Sequence, residues 1–105
     1  MEPVVTLGKQ DAGRTINLTP GQRMVLSLDD ISTTGYRWDI SALDPSVLAL
    51  EDSRLAPHPG IGAGGARTFT FRANQPGQCE LIARLKRPWE SEPIEELHAT
   101  IIVAA

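Results

Sequence analysis

The chain has 105 residues, enough for one domain with one core. With 41% hydrophobic and 22% charged residues its composition is that of a globular protein and not of a disordered one. A net charge of −3 argues against nucleic acid as a partner, because phosphate binding needs clustered Lys and Arg. No stretch approaches the ~20 consecutive apolar residues of a membrane-spanning helix, and the opening Met1-Glu2-Pro3 lacks the basic and apolar regions of a signal peptide.

In chain order the pattern is one of short alternating segments broken by Gly, Pro, Asn and Asp, which predicts an all-β sandwich. Val4 to Leu7 reads as a strand, Gly8 to Gly13 as a turn, and Thr15 to Leu18 as a short extended piece. Thr19-Pro20-Gly21 is a turn in which Pro presets φ and Gly accepts a positive value. From Arg23 to Leu28, Met24, Leu26 and Leu28 share one face; from Tyr36 to Ser41, Tyr36, Trp38 and Ile40 do. Val47 to Glu51 is a weaker strand, since its Ala and Leu residues also suit a helical turn.

Thr68 to Arg72 turns Phe69 and Phe71 inward, and Asn74-Gln75-Pro76-Gly77 then leads into Gln78 to Leu85. Leu97, Ala99, Ile101 and Val103 are in phase on the last strand, Leu97 to Val103. About seven strands, Greek-key connections and no convincing helix make an immunoglobulin-like β-sandwich of residues 1–105 the expected architecture.

Three connections between these strands have unusual composition: Asp29 to Gly35, Ala56 to Gly65 and Lys86 to Glu96. In a Greek-key sandwich all three emerge at the same end, as the binding loops of antibody variable domains do. The first carries Ser32-Thr33-Thr34-Gly35-Tyr36, with stiff β-branched hydroxyl residues where a plain turn prefers Asn, Asp or Gly. The second, Gly60-Ile61-Gly62-Ala63-Gly64-Gly65, has neither the Lys-Ser/Thr pair nor the helix of a phosphate loop. It is a flexible hairpin end or a bare backbone suited to close approach. The third holds Arg87-Pro88-Trp89, and Trp and Arg are the residues that dominate binding hot spots. Trp89 either meets a partner or folds back over the rim.

Catalysis is disfavoured. His58 and His98 have no metal partner at ligand spacing, and no Ser sits in a strand-turn-helix elbow. Glu90, Glu92, Glu95 and Glu96 read as a solvated loop face. Cys79, the single cysteine, falls in phase with Leu81 and Ala83 and reads as a small buried hydrophobe. No cofactor is expected.

Taken together, the three loops resemble those of the chagasin family of cysteine protease inhibitors. That family carries Asn-Pro-Thr-Thr-Gly-Tyr or Phe in the first loop, Gly-x-Gly-Gly in the second and Arg-Pro-Trp in the third. Here Thr33-Thr34-Gly35-Tyr36 match, then Gly62, Gly64 and Gly65, then Arg87-Pro88-Trp89, in the same order and spacing. The family's Asn-Pro falls on Ile31-Ser32, a change that loosens the first loop and bears on affinity and target choice.

The resemblance implies a non-enzymatic, reversible inhibitor of papain-like cysteine proteases of the papain or cathepsin L type; a monomer is expected because no strand reads as a long, apolar, unprotected edge. Ser32, Thr33, Thr34, Gly35 and Tyr36 would enter the active-site cleft. Gly62, Gly64 and Gly65 would grip one side, and Arg87, Pro88 and Trp89 the other. A mature periplasmic or secreted form is the expected state, with a cytoplasmic one the alternative. Two rival readings share the fold: a surface recognition or adhesion module binding another protein or a glycan through the same loops, and a metal-binding sandwich using His58 and His98.

Overall fold

The computed structural model describes residues 4–30, 36–57 and 65–105, the side chains of residues 30 and 55–57 excepted. Among these, eight strands form two four-stranded sheets. They are β1 (Val5–Leu7), β2 (Thr15–Leu18), β3 (Arg23–Asp30), β4 (Arg37–Ala42), β5 (Leu48–Pro57), β6 (Gly65–Ala73), β7 (Gly77–Lys86) and β8 (Glu95–Val103). One sheet has the order β1-β3-β6-β5 and the other β2-β8-β7-β4. The all-β sandwich expected from the alternation is therefore the fold observed.

Period-two alternation decides which side chains meet between the sheets. Met24, Leu26, Leu28, Phe69 and Phe71 from the first sheet are buried, as are Leu81, Ala83, Leu85, Leu97, Ala99, Ile101 and Val103 from the second. Trp38 and Cys79 join the same core. Phe69 and Phe71 lie on one strand with ring centroids 6.5 Å apart, supplying much of the aromatic volume in a core otherwise built of Leu, Ile and Val.

The N-terminal strand is split between the sheets. β1 runs parallel to β3, with Val5 opposite Met24 and Leu7 opposite Leu26. β2 runs parallel to β8, with Thr15 opposite Thr100. The segment Gly8 to Arg14 straps across the open side between them. Where a plain turn was expected, a single 3₁₀ turn at Lys9–Asp11 makes the crossing. Asp11 secures it: its Oδ2 accepts from the Gly8 N–H at 2.9 Å and its Oδ1 from Arg14 Nη1 at 2.8 Å. Gly13, at φ +83°, then turns the chain so that its N–H donates to His98 O at 2.7 Å.

β5 is longer than the sequence suggested. A bulge between Leu50 and Asp52 leaves Glu51 without a cross-strand partner and shifts the inward phase by one residue. Beyond it the pairing with β6 continues to Pro57 opposite Gly65, so the hairpin loop is 58–64 and not Ala56 to Gly65. Pro57 is tolerated because β5 is an edge strand.

Candidate functional site

The strand registers place the three unusual connections together. In the first sheet Asp30 and Pro57 both pair with Gly65, so segments 31–35 and 58–64 leave from adjacent strand ends. In the second sheet Arg37 pairs with Lys86 and Leu85 with Glu95, which puts the 87–94 connection beside the start of β4. Trp38 joins the two sheets at this end, its buried Nε1–H donating to Asp29 O at 2.8 Å. All three connections thus root on one end of the sandwich, over a floor that includes Trp38, Leu28 and Leu85.

Of the residues singled out in the sequence, Ser32, Thr33, Thr34, Gly35, Gly62 and Gly64 lie outside the described residues, as does His58. Tyr36, Gly65, Arg87, Pro88 and Trp89 are placed. Gly65 is the first residue of β6, paired on both sides, and forms the root of the second loop. Tyr36 is half-buried at the exit of the first loop and packs partly against the core.

The third connection is built by local hydrogen bonds. Glu90 N–H donates to Arg87 O at 3.0 Å, closing a turn with Pro88 in the position where its fixed φ fits. Lys86 Nζ donates to Glu90 O at 2.9 Å, and Ile94 N–H donates to Leu85 O at 2.8 Å to rejoin the sheet. This turn lifts Trp89 away from the body, where it is 72% exposed. The fold-back over the rim is thereby answered: the indole does not cover the core. Arg87 lies between two rings, its guanidinium carbon 4.5 Å from the Tyr36 centroid and 5.9 Å from that of Trp89. Its Nη1 is 3.3 Å from Glu90 Oε1.

Ile94 is a surface feature that the alternation did not reveal. It is 53% exposed, on the same connection as Trp89, and sits one residue ahead of β8. Its run, Glu92-Pro93-Ile94-Glu95, reads as polar loop with one stray apolar residue, and only its exposure on the connection that also carries Trp89 marks it.

Catalytic and metal chemistry find little here. His98 Nδ1 is 2.9 Å from Glu80 Oε1 on the outer face of the second sheet, and no group of three or more metal-ligating side chains occurs among the described residues. Cys79 is buried, and desolvation pushes its thiol above the ordinary value, away from the nucleophilic thiolate. The core reading of Cys79 holds.

An immunoglobulin-like sandwich that roots three connections at one end, with an exposed aromatic on one of them, has the architecture of a loop-presenting binding module. The chain belongs to the chagasin family: the model described as "Chagasin family peptidase inhibitor I42" matches residues 17–103. The family is one of inhibitors and not of enzymes. Amoebiasin-1 of Entamoeba histolytica is 26% identical over 86 residues, spanning 81% of this chain and 84% of its own.

Solved structures agree on the fold. The crystal structure of the cysteine protease inhibitor EhICP2 from Entamoeba histolytica matches with a TM-score of 0.88 at 19% identity, over 95% of both chains. The solution structure of Amebosin gives 0.81 at 22% identity, over 97% of this chain and 99% of that one. PbICP-C, solved in complex with falcipain-2, gives 0.63 at 15% identity, over 98% of each.

Proposed function

We propose that this protein is a reversible, non-covalent inhibitor of papain-like cysteine proteases, and that its three loops form a wedge that occludes the active-site cleft. The observation that carries the reading is that the strand ends flanking segments 31–35, 58–64 and 87–94 lie at one end of the sandwich, with Trp89 exposed on the last of these connections. A relative of the same fold was solved bound to falcipain-2, which supports a protease as the partner.

The chemistry of the loops fits a cleft. Thr33 and Thr34 bring backbone groups and hydroxyls for hydrogen bonding to the cleft floor, where the catalytic Cys would be covered, with Ser32, Gly35 and Tyr36 completing the first loop. Gly62, Gly64 and Gly65 carry no side chains, so the second loop approaches as bare backbone. Trp89 adds a large desolvated contact, and Pro88 limits the turn that holds it. Loops of this size can cover the ~800 Å² per partner of a standard protease–inhibitor interface. The block is steric, because the one thiol is buried and no other group offers a covalent trap.

The test is a titration of papain and of a cathepsin L-type enzyme with the purified protein, following a fluorogenic substrate. The expected result is tight loss of activity that reverses on dilution and leaves the inhibitor chain uncut. Unchanged activity at micromolar inhibitor would overturn the proposal in favour of a recognition module with another ligand.

A further inference from the structure

We infer that Arg87 is a positioning residue, a brace that ties the first loop's exit to the third loop and holds Trp89 in its presented orientation, and that it does not itself contact the target. The inference deepens the inhibitor reading and rests on it for its binding arm. Its spectroscopic arm stands alone.

An indole that is 72% exposed has few neighbours to fix its rotamer, and free rotation would have to be lost on binding. The Arg87 guanidinium lies within the ~6 Å reach of a cation–π contact to that ring, at 5.9 Å. Its other partner is closer, Tyr36 at 4.5 Å, and Tyr36 is half-buried against the core and therefore fixed. Glu90 Oε1, 3.3 Å away, holds the guanidinium from a third direction. The chain of contacts runs from the core through Tyr36 to Arg87 and out to Trp89.

Two consequences distinguish a brace from a contact residue. First, the planar guanidinium can stack between two rings, whereas a lysine ammonium is a compact, strongly hydrated point charge. Arg87→Lys keeps the charge and should lose the brace. Second, the brace depends on the Tyr36 ring and not on its hydroxyl, so Tyr36→Phe should keep it and Tyr36→Leu should break it. Once Tyr36→Leu has broken it, adding Arg87→Lys should change little more, because the two residues act through one contact.

The experiment measures Trp89 directly and then binding. Time-resolved fluorescence anisotropy and acrylamide quenching are recorded on the free protein, with the contribution of the buried Trp38 taken from Trp89→Phe. Arg87→Lys and Tyr36→Leu should each give the indole a fast-rotating component that the wild type and Tyr36→Phe lack. Against papain, Arg87→Lys should raise Ki about tenfold through faster dissociation, with a melting temperature near the wild type's.

If Arg87→Lys leaves both the anisotropy and Ki unchanged, there is no brace. A rise in Ki for Arg87→Lys with rigid Trp89, no effect of Tyr36→Leu and a strong dependence on salt would make Arg87 a direct ionic contact, which also overturns the inference. Should the wild-type protein not inhibit papain, the inhibitor reading fails, and the anisotropy of Arg87→Lys and Tyr36→Leu still decides the brace.

Discussion

The two tryptophans carry the same side chain into opposite environments. Trp38 is 3% exposed, and its Nε1–H is satisfied by Asp29 O. Trp89 is 72% exposed on a turn set by Pro88. Sequence phase marks Trp38 as core, since it alternates with Arg37 and Asp39. It leaves Trp89 open between a partner contact and a fold over the rim, because that residue follows a Pro in a polar segment with no phase. The outcome of truncation should differ accordingly. Trp89→Ala should weaken inhibition by about 2 kcal/mol or more, some thirtyfold in Ki, while leaving the denaturation midpoint nearly unchanged. A titration beside a urea melt of the same variant checks it. A variant that inhibits normally, or that unfolds, would remove Trp89 from the binding surface. Arg87 shows where residue types alone stop short: they admit both bracing and rim pairing, and only the placement of its guanidinium between Tyr36 and Trp89 favours the first.

Among the elements, legibility followed how regular the alternation is. β3, β6, β7 and β8 are central in their sheets, with one face buried, and their inward residues were readable directly. β5 was not, for two physical reasons. Its bulge at Glu51 breaks the period, and as an edge strand it carries the polar run Glu51-Asp52-Ser53-Arg54 in place of a buried face. Glu51 is held there by Arg23 at 3.0 Å and Arg72 at 3.7 Å, a pairing between strands that composition does not announce. The Gly8 to Arg14 strap is similar, since a carboxylate, Asp11, ties its two ends together through the Gly8 N–H and Arg14. The Gly8 N–H and then Arg14 hold Asp11 below its ordinary value of 3.8. A depressed carboxyl contributes stability above its unfolded value, and that contribution fades as pH falls through the folded one. Asp11→Asn should therefore be less stable than wild type at neutral pH, with the gap narrowing as pH falls below about 4. Urea denaturation of both proteins across this range measures it, and a gap independent of pH would mean that the charge of Asp11 plays no part in the strap.

Across the whole molecule the two ends of the sandwich have different tasks. At the end away from the loops, short turns are knitted together by backbone hydrogen bonds: Gly21 N–H to Ala73 O at 2.8 Å, Ala73 N–H to Gln22 O at 2.8 Å and Asn74 N–H to Val47 O at 2.8 Å. These turns were legible because Pro and Gly have fixed conformational meanings, as in Thr19-Pro20-Gly21-Gln22, where Gln22 N–H closes on Thr19 O at 3.0 Å. The loop end was legible only as composition and motif, since what its residues do depends on a surface that lies outside the chain. Stability and binding should therefore respond to different substitutions. Gly21 has φ +88° and open space around its Cα, so Gly21→Ala meets no clash and suffers only from the left-handed backbone. That strain should lower stability by about 1–2 kcal/mol. Because the turn precedes β3 at Arg23 and the loop end lies at the far end of that strand, at Asp30, Ki should be unchanged at temperatures where the variant stays folded. Trp89→Ala should do the reverse. A single set of proteins, read by urea melts and by protease titration, tests the division. If Gly21→Ala raises Ki in step with its loss of stability, the loops are set by the strain of the whole sandwich, and the binding end is not the separate unit that its strand registers describe.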